Sequence, residues 1–266
     1  MTEPSSSDYV QSLARGLAVI KAFDADNRRQ TLSDVARRTD LTRATARRFL
    51  LTLVELGYVR TDGSLFWLSP QVLELGYSYL SSISLPEVAT PHLELLSQQV
   101  SESSSVSVLD GDDIVYIARV AVSRIMTVSI SIGTRFPAHA TSMGRVLLAG
   151  LPGDELDDYL RRARFTQMTD RTIHTPDALR AELDRVRRDG FCVVDQELEL
   201  GLRSMAAPIL DAGGSVLAAV NISTPAARYS MTEVHDRLVP AVRAAADAIA
   251  ADLRRSRAMA GAENRK

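Results

Sequence analysis

The chain has 266 residues, long enough for two domains of ordinary size. Its 45% hydrophobic and 24% charged content is that of a globular protein with a buried core. A formal charge of −2 excludes a uniformly basic nucleic-acid binder, so any such function must sit in a local patch. The single cysteine, Cys192, excludes an intramolecular disulfide and any CxxC zinc or redox site. It lies in the apolar run Phe191-Cys192-Val193-Val194 and reads as a buried thiol. No stretch approaches the roughly 20 apolar residues of a membrane span. The polar, acidic start from Met1 to Asp8 has no signal-peptide character and reads as disordered. A cytoplasmic protein with no membrane partner is the expectation.

From Ser12, apolar residues at helical spacing (Leu13, Leu17, Ile20) predict a first helix. Thr31-Leu32-Ser33-Asp34 has the form of a capping box, opening a short helix to about Arg38. A turn at Thr39-Asp40-Leu41 leads to a second start at Thr42. The longer helix that follows carries Ala46, Phe49, Leu50 and Leu53 on its inward stripe and ends before Gly57. Two β-prone runs, Tyr58–Thr61 and Leu65–Leu68, flank Asp62-Gly63 and predict a hairpin. This order is that of a winged helix-turn-helix. Ser69-Pro70 then predicts a connecting helix from Pro70 to about Ser81, with a domain boundary at Ser81–Pro86.

Beyond the boundary the pattern changes to an α+β alternation. Residues 87–102 read as an amphipathic helix. Strands are expected at Ser105–Leu109, Ile114–Val120 and Thr127–Ile132, and helices at Ser142–Ala149, 153–163 and 176–189. Further strands are expected at Phe191–Val194, Ser204–Leu210 and Val216–Ser223, the last two joined through Gly213-Gly214. Ser230-Met231-Thr232-Glu233 is another capping box and opens a long C-terminal helix. An antiparallel sheet flanked by helices fits this order.

Charge placement gives the first functional signal. Between Arg28 and Arg60 eight arginines face three acids, a local +5 in a chain of −2. On the helix after the turn, Ala44, Arg47 and Arg48 lie away from the apolar stripe, with Arg43 and Thr45 at its flanks. A recognition helix presents such residues to base edges and phosphates of double-stranded DNA. Thr42, at the helix N-terminus, suits a phosphate contact, and Arg60 lies on the hairpin. The plain alternative is a solvated basic face. The second signal is negative. The four histidines are scattered without metal-ligand spacing, there is no phosphate loop, and His139 and Ser142 lack a nucleophile-elbow context. No cofactor, no metal and no enzymatic activity are expected.

The stretches Val10–Gly16, Leu41–Arg48 and Leu56–Val59 resemble the DNA-binding domain of IclR-type regulators. His139-Ala140-Thr141-Ser142-Met143-Gly144-Arg145, Gly190-Phe191, Glu197 and Gly201–Ala207 resemble the effector domain of the same family. The resemblance covers about residues 9 to 255. The opening Tyr9-Val10-Gln11-Ser12-Leu13 is most similar to the subgroup controlling aromatic-acid catabolism, the β-ketoadipate pathway. The resemblance implies a winged helix-turn-helix domain over 9–69, a linker helix over 70–85, and a GAF-like effector domain over 86–256. A disordered tail is expected over 257–266. The partners implied are operator DNA, a small organic-acid effector and further copies of the chain, as a homodimer or tetramer.

In that family the effector carboxylate meets backbone amides at a helix start, here Ser142 and Met143, and strand residues corresponding to Ser204, Asn221 and Ser223 line the pocket. Where the family pattern has Asp or Ser four residues after the glycine, this chain has Val194, with Asp195 next. Asp195 is therefore a candidate, and Arg119, Arg124 and Arg135 are unranked candidates for a charged partner. A second domain serving only for oligomerisation, or one sensing glyoxylate or pyruvate, is the alternative.

Overall fold

The computed structural model describes residues 9–75, 85–122 and 130–263, with side chains as far as residue 256. The chain divides into two compact units, Met1–Ser82 and Ile83–Lys266.

The first unit is built around α1 (Gln11–Lys21), α2 (Leu32–Arg38) and α3 (Arg43–Glu55), with strands β1 (Gln30–Thr31), β2 (Val59–Thr61) and β3 (Leu65–Leu68). Both expected helix starts are made by threonine side chains. Thr31 and Asp34 form a reciprocal capping box on α2, and the Thr42 hydroxyl accepts from the Thr45 amide on α3. Each cap satisfies amide donors that a helix start leaves unpaired. Val19, Phe23, Val35, Leu50, Leu53, Val59 and Phe66 form the core of the unit. The antiparallel sheet runs β1-β3-β2. At the hairpin tip Gly63 takes a left-handed φ of 97°. The Asp62 carboxylate there accepts from the amides of Ser64 and Leu65, which holds its pKa below the usual range. The Ser69 side chain caps a 3-10 turn at Pro70–Val72, and the chain stays helical to Leu75. The rest of the expected connecting helix, from 76 to 81, lies outside the described residues.

Among its described residues the second unit has six strands: β4 (Ser103–Asp110), β5 (Asp113–Val120), β6 (Arg135–Pro137), β7 (Cys192–Asp195), β8 (Leu202–Leu210) and β9 (Val216–Pro225). They form one antiparallel sheet in the order β6-β5-β4-β9-β8-β7. Helices α4 (Leu85–Val100) and α9 (Val239–Glu263) cover one face. Helix α5 (Ser142–Ala149) covers the other, with α7 (Pro176–Asp189) packed on it; α6 (Gly153–Arg162) joins their core. The capping box at Ser230 and Glu233 opens α8 (Met231–Glu233), and a π-helical turn at Val234–Leu238 leads into α9.

Two expectations are corrected. Among the described residues the third strand is Arg135–Pro137, and the described part of the strand expected at Thr127–Ile132 is not a strand. Residues 130–132 are irregular, 127–129 lie outside the described residues, and the Gly133 amide closes a turn onto the Tyr116 carbonyl ahead of β6. The tail expected to be disordered from residue 257 is helical as far as Glu263, in line with its alanine, arginine and glutamate content.

Strand alternation gives this sheet two unlike faces. Val106, Ile117, Ala118, Met205, Ala207, Val220 and Ile222 belong to an apolar core with α4 and α9. The opposite face carries Ser105, Ser107, Ser204, Asn221 and Ser223, all buried.

Candidate functional site

In the first unit the basic surface lies on α3 and β2. Thr42, Arg43, Ala44, Arg47, Arg48 and Arg60 are all exposed and Thr45 is half-buried, while Ala46, Leu50 and Leu53 point into the core. The neighbouring Arg37 and Arg38 are held by Asp34 and Asp24. Among the described residues no carboxylate pairs with Arg43, Arg47, Arg48 or Arg60. A solvent-facing helix start with unneutralised guanidinium groups beside a hairpin is an arrangement able to meet a phosphate backbone and reach into a groove. Leu51, expected to point outward, is indeed exposed.

In the second unit α5 begins over the polar face of the sheet. The Thr141 hydroxyl caps it by accepting from the Gly144 amide. A side chain at Gly144 would collide with the Ala138 backbone, so glycine lets the helix start lie close against the preceding turn. Ser142 and Met143 follow the cap and are each 1% exposed. Ser107 Oγ donates to Met143 Sδ across 3.2 Å, which fixes the helix start over β4. On β9 the Asn221 amide donates to Ser223 Oγ at 3.1 Å, so these two share a face as the spacing required. Ser204 stands directly opposite Ser223 on β8. Two buried polar atoms here have no hydrogen-bond partner among the described residues: Ser142 Oγ and Asn221 Oδ1. Unsatisfied buried polar atoms are costly, and a polar group placed against this face could satisfy both.

Of the two arginine candidates among the described residues, Arg119 belongs to this face. Arg119, opposite Ser105 on β5, is half-buried and donates to Ser105 Oγ at 3.1 Å. Burial holds its pKa below the ordinary arginine value. Arg135 is corrected: it lies exposed on edge strand β6 and is taken up by Asp110 and Asp113 at the β4–β5 turn. Arg124 lies outside the described residues. Asp195 is corrected too. Its neighbour Val194, opposite Ser204, takes the polar-face position, and alternation sends Asp195 to the other face. There it pairs with Arg203 at 2.8 Å and Arg171 at 2.7 Å.

Beneath α5 lies an ion pair that the sequence motifs contained but did not explain. Arg145, 1% exposed, donates twice to the Glu197 carboxylate and once to the His139 carbonyl. Glu197 also accepts from the Ile173 amide at 2.8 Å. The pair ties α5 to the segments around residues 173 and 197. The His139 ring packs edge-on to Phe165, and its Nε2 lies 3.1 Å from the Thr166 carbonyl rather than on Ser142. Ser105 and Ser107 were missed as floor residues, although their alternation with Val106 and Val108 carried the signal.

The family model of the IclR helix-turn-helix domain matches residues 12–63, and that of the bacterial transcriptional regulator IclR C-terminal domain matches residues 77–251. The chain belongs to the IclR family of transcriptional regulators. A Pca regulon regulatory protein of Pseudomonas putida is 49% identical over 239 residues, covering 90% of this chain and 82% of that one. A crystal structure described as that of a transcriptional regulator from Rhodococcus sp. RHA1 is 69% identical, with a TM-score of 0.85, covering 93% of this chain and all of that one. An IclR homologue from Microbacterium hydrocarbonoxydans, solved in complex with 4-hydroxybenzoate, is 28% identical with a TM-score of 0.81, over 91% of this chain and 99% of that one. The IclR family relatives are regulators by name, not enzymes. The α+β fold, a helix-turn-helix unit followed by a GAF-like antiparallel-sheet unit, is the family's. Among the described residues no helix is long and apolar enough to cross a membrane.

Proposed function

We propose that this IclR-family regulator binds double-stranded operator DNA through α3 and the β2–β3 hairpin, and that a small organic acid bound in the second unit controls that binding. The DNA-binding unit spans residues 9–69 and the effector unit 86–256. The observation that carries the DNA reading is the exposed start of α3, where Arg43, Arg47 and Arg48 have no acidic partner among the described residues. In this reading Arg47 and Arg48 meet bases or phosphates, Thr42 and Thr45 approach a phosphate at the helix start, and Arg60 meets the backbone beside the hairpin. A two-fold dimer, or a pair of dimers, places two such helices on a repeated or palindromic site.

The effector carboxylate sits at the start of α5, taking the amides of Ser142 and Met143 and the Ser142 hydroxyl, while Ser204, Asn221 and Ser223 meet the rest of the molecule. An aromatic or β-ketoadipate-pathway acid is favoured by the Pca regulon relative and by the 4-hydroxybenzoate complex of the Microbacterium homologue. The unpaired polar atoms at Ser142 and Asn221, together on one face, favour a bound molecule over a purely structural second unit.

The test is a thermal-shift series with protocatechuate, 4-hydroxybenzoate, β-ketoadipate, pyruvate and glyoxylate. It is followed by DNA-binding measurements with and without the acid that shifts the transition. A ligand binding the native state raises Tm with concentration. Absence of any shift, or a shift without change in DNA affinity, would remove the effector half of the proposal.

A further inference from the structure

Among the described residues Arg119 is a cation without a counter-ion. Its one hydrogen bond among the described residues goes to the neutral Ser105 hydroxyl. No carboxylate among the described residues pairs with it, and the chain from Ala121 to Thr134 contains no acidic residue. A half-buried guanidinium left in this state is costly, because burial removes water without supplying an opposite charge. A neutral hydroxyl satisfies a donor but leaves the charge in place. Only an anion offsets both.

The position of Arg119 relative to the start of α5 gives the second half of the argument. Ser105, which Arg119 touches, and Ser107, which touches Met143, stand on one face of β4 two residues apart. Two residues of strand span about 7 Å. One anion site, at Ser142 and Met143, therefore lies at one end of a polar floor and an uncompensated cation at the other. The separation is about that of the ends of a chain of five or six carbons.

We infer that the effector carries two acidic groups, one held at the start of α5 and the second paired with Arg119, so that Arg119 selects dicarboxylic over monocarboxylic acids. This rests on the effector reading above. Asn221 Oδ1, buried beside the same row, is free to accept from a hydroxyl on the molecule between the two ends.

The experiment is calorimetric titration of the full chain with adipate, hexanoate and 4-hydroxybenzoate, on the native protein and on Arg119→Gln and Arg119→Lys. Adipate and hexanoate differ by one carboxylate at constant length. The native chain is expected to prefer adipate about tenfold or more. Arg119→Gln should bring that ratio to about one while leaving hexanoate and 4-hydroxybenzoate nearly unchanged. Arg119→Lys, which keeps the charge and guards against a folding artefact, should retain most of the preference. Equal binding of adipate and hexanoate by the native chain, or a ratio untouched by Arg119→Gln, overturns the inference. In that event binding of 4-hydroxybenzoate would leave the effector reading standing. Binding of none of the three acids would overturn the inference and count against the effector reading as well.

Discussion

The Cys192 thiol is fully buried, and that burial pushes its pKa up to about 12. A thiol so placed offers almost no thiolate at neutral pH. It is expected to resist alkylation by iodoacetamide in the native chain and to react once urea unfolds it; rapid native labelling, followed by mass spectrometry, would contradict this placement. His139 titrates in the opposite sense. Burial holds its imidazole below the ordinary 6.5, so the unfolded chain takes up a proton before the folded one does. Stability is therefore full above about 6.5 and declines as pH falls through that value towards the lower folded pKa. Melting curves from pH 7.5 to 5.5 should show this decline, and His139→Gln should flatten it. On the surface of α3 the expected effect is on binding alone. Arg47→Ala or Arg48→Ala should leave the melting temperature unchanged and weaken DNA binding. A lost phosphate contact would appear as a salt-dependence slope about one unit shallower.

Helix α5 depends on contacts that its own eight residues do not supply. Arg145 and Glu197 join it to two other segments, and removing Glu197 leaves the buried Arg145 guanidinium with only the Glu182 carboxylate, 3.8 Å away and without a hydrogen bond to it. Glu197→Ala is expected to cost about 3–5 kcal/mol in urea unfolding. Gly144→Ala should be comparably harmful for a steric reason, since the added methyl meets the Ala138 backbone, which cannot rotate away. Elements with local signals were legible in the sequence. The caps at Thr31, Thr42 and Ser230, the turn glycines and the bounds of α5 and α7 are written in neighbouring residues. Strand β6 was not legible, because three residues paired only along one edge carry too little pattern to separate them from the segment before.

For the whole molecule, the order of units was readable and so was the apolar half of the sheet. The candidate effector site was readable only in part. Ser142, Met143, Ser204, Asn221 and Ser223 came through family likeness. The choice among Arg119, Arg135 and Asp195 needed the register of β5, β6 and β7, since one residue of slip exchanges the faces of a strand. Val194 and Asp195 are neighbours in sequence and stand on opposite sides of the sheet.

The two faces of that sheet also differ in what a change on them costs. Val106, Met205, Val220 and Ile222 each bury a substantial apolar side chain against α4 and α9, and shortening one loses about 1–3 kcal/mol. Ser105, Ser107, Ser204 and Ser223 contribute little apolar area, so exchanging them for other small side chains disturbs the fold much less. Inheritance can therefore act on the two sides separately, with one side kept to preserve the scaffold and the other free to drift towards a different acid.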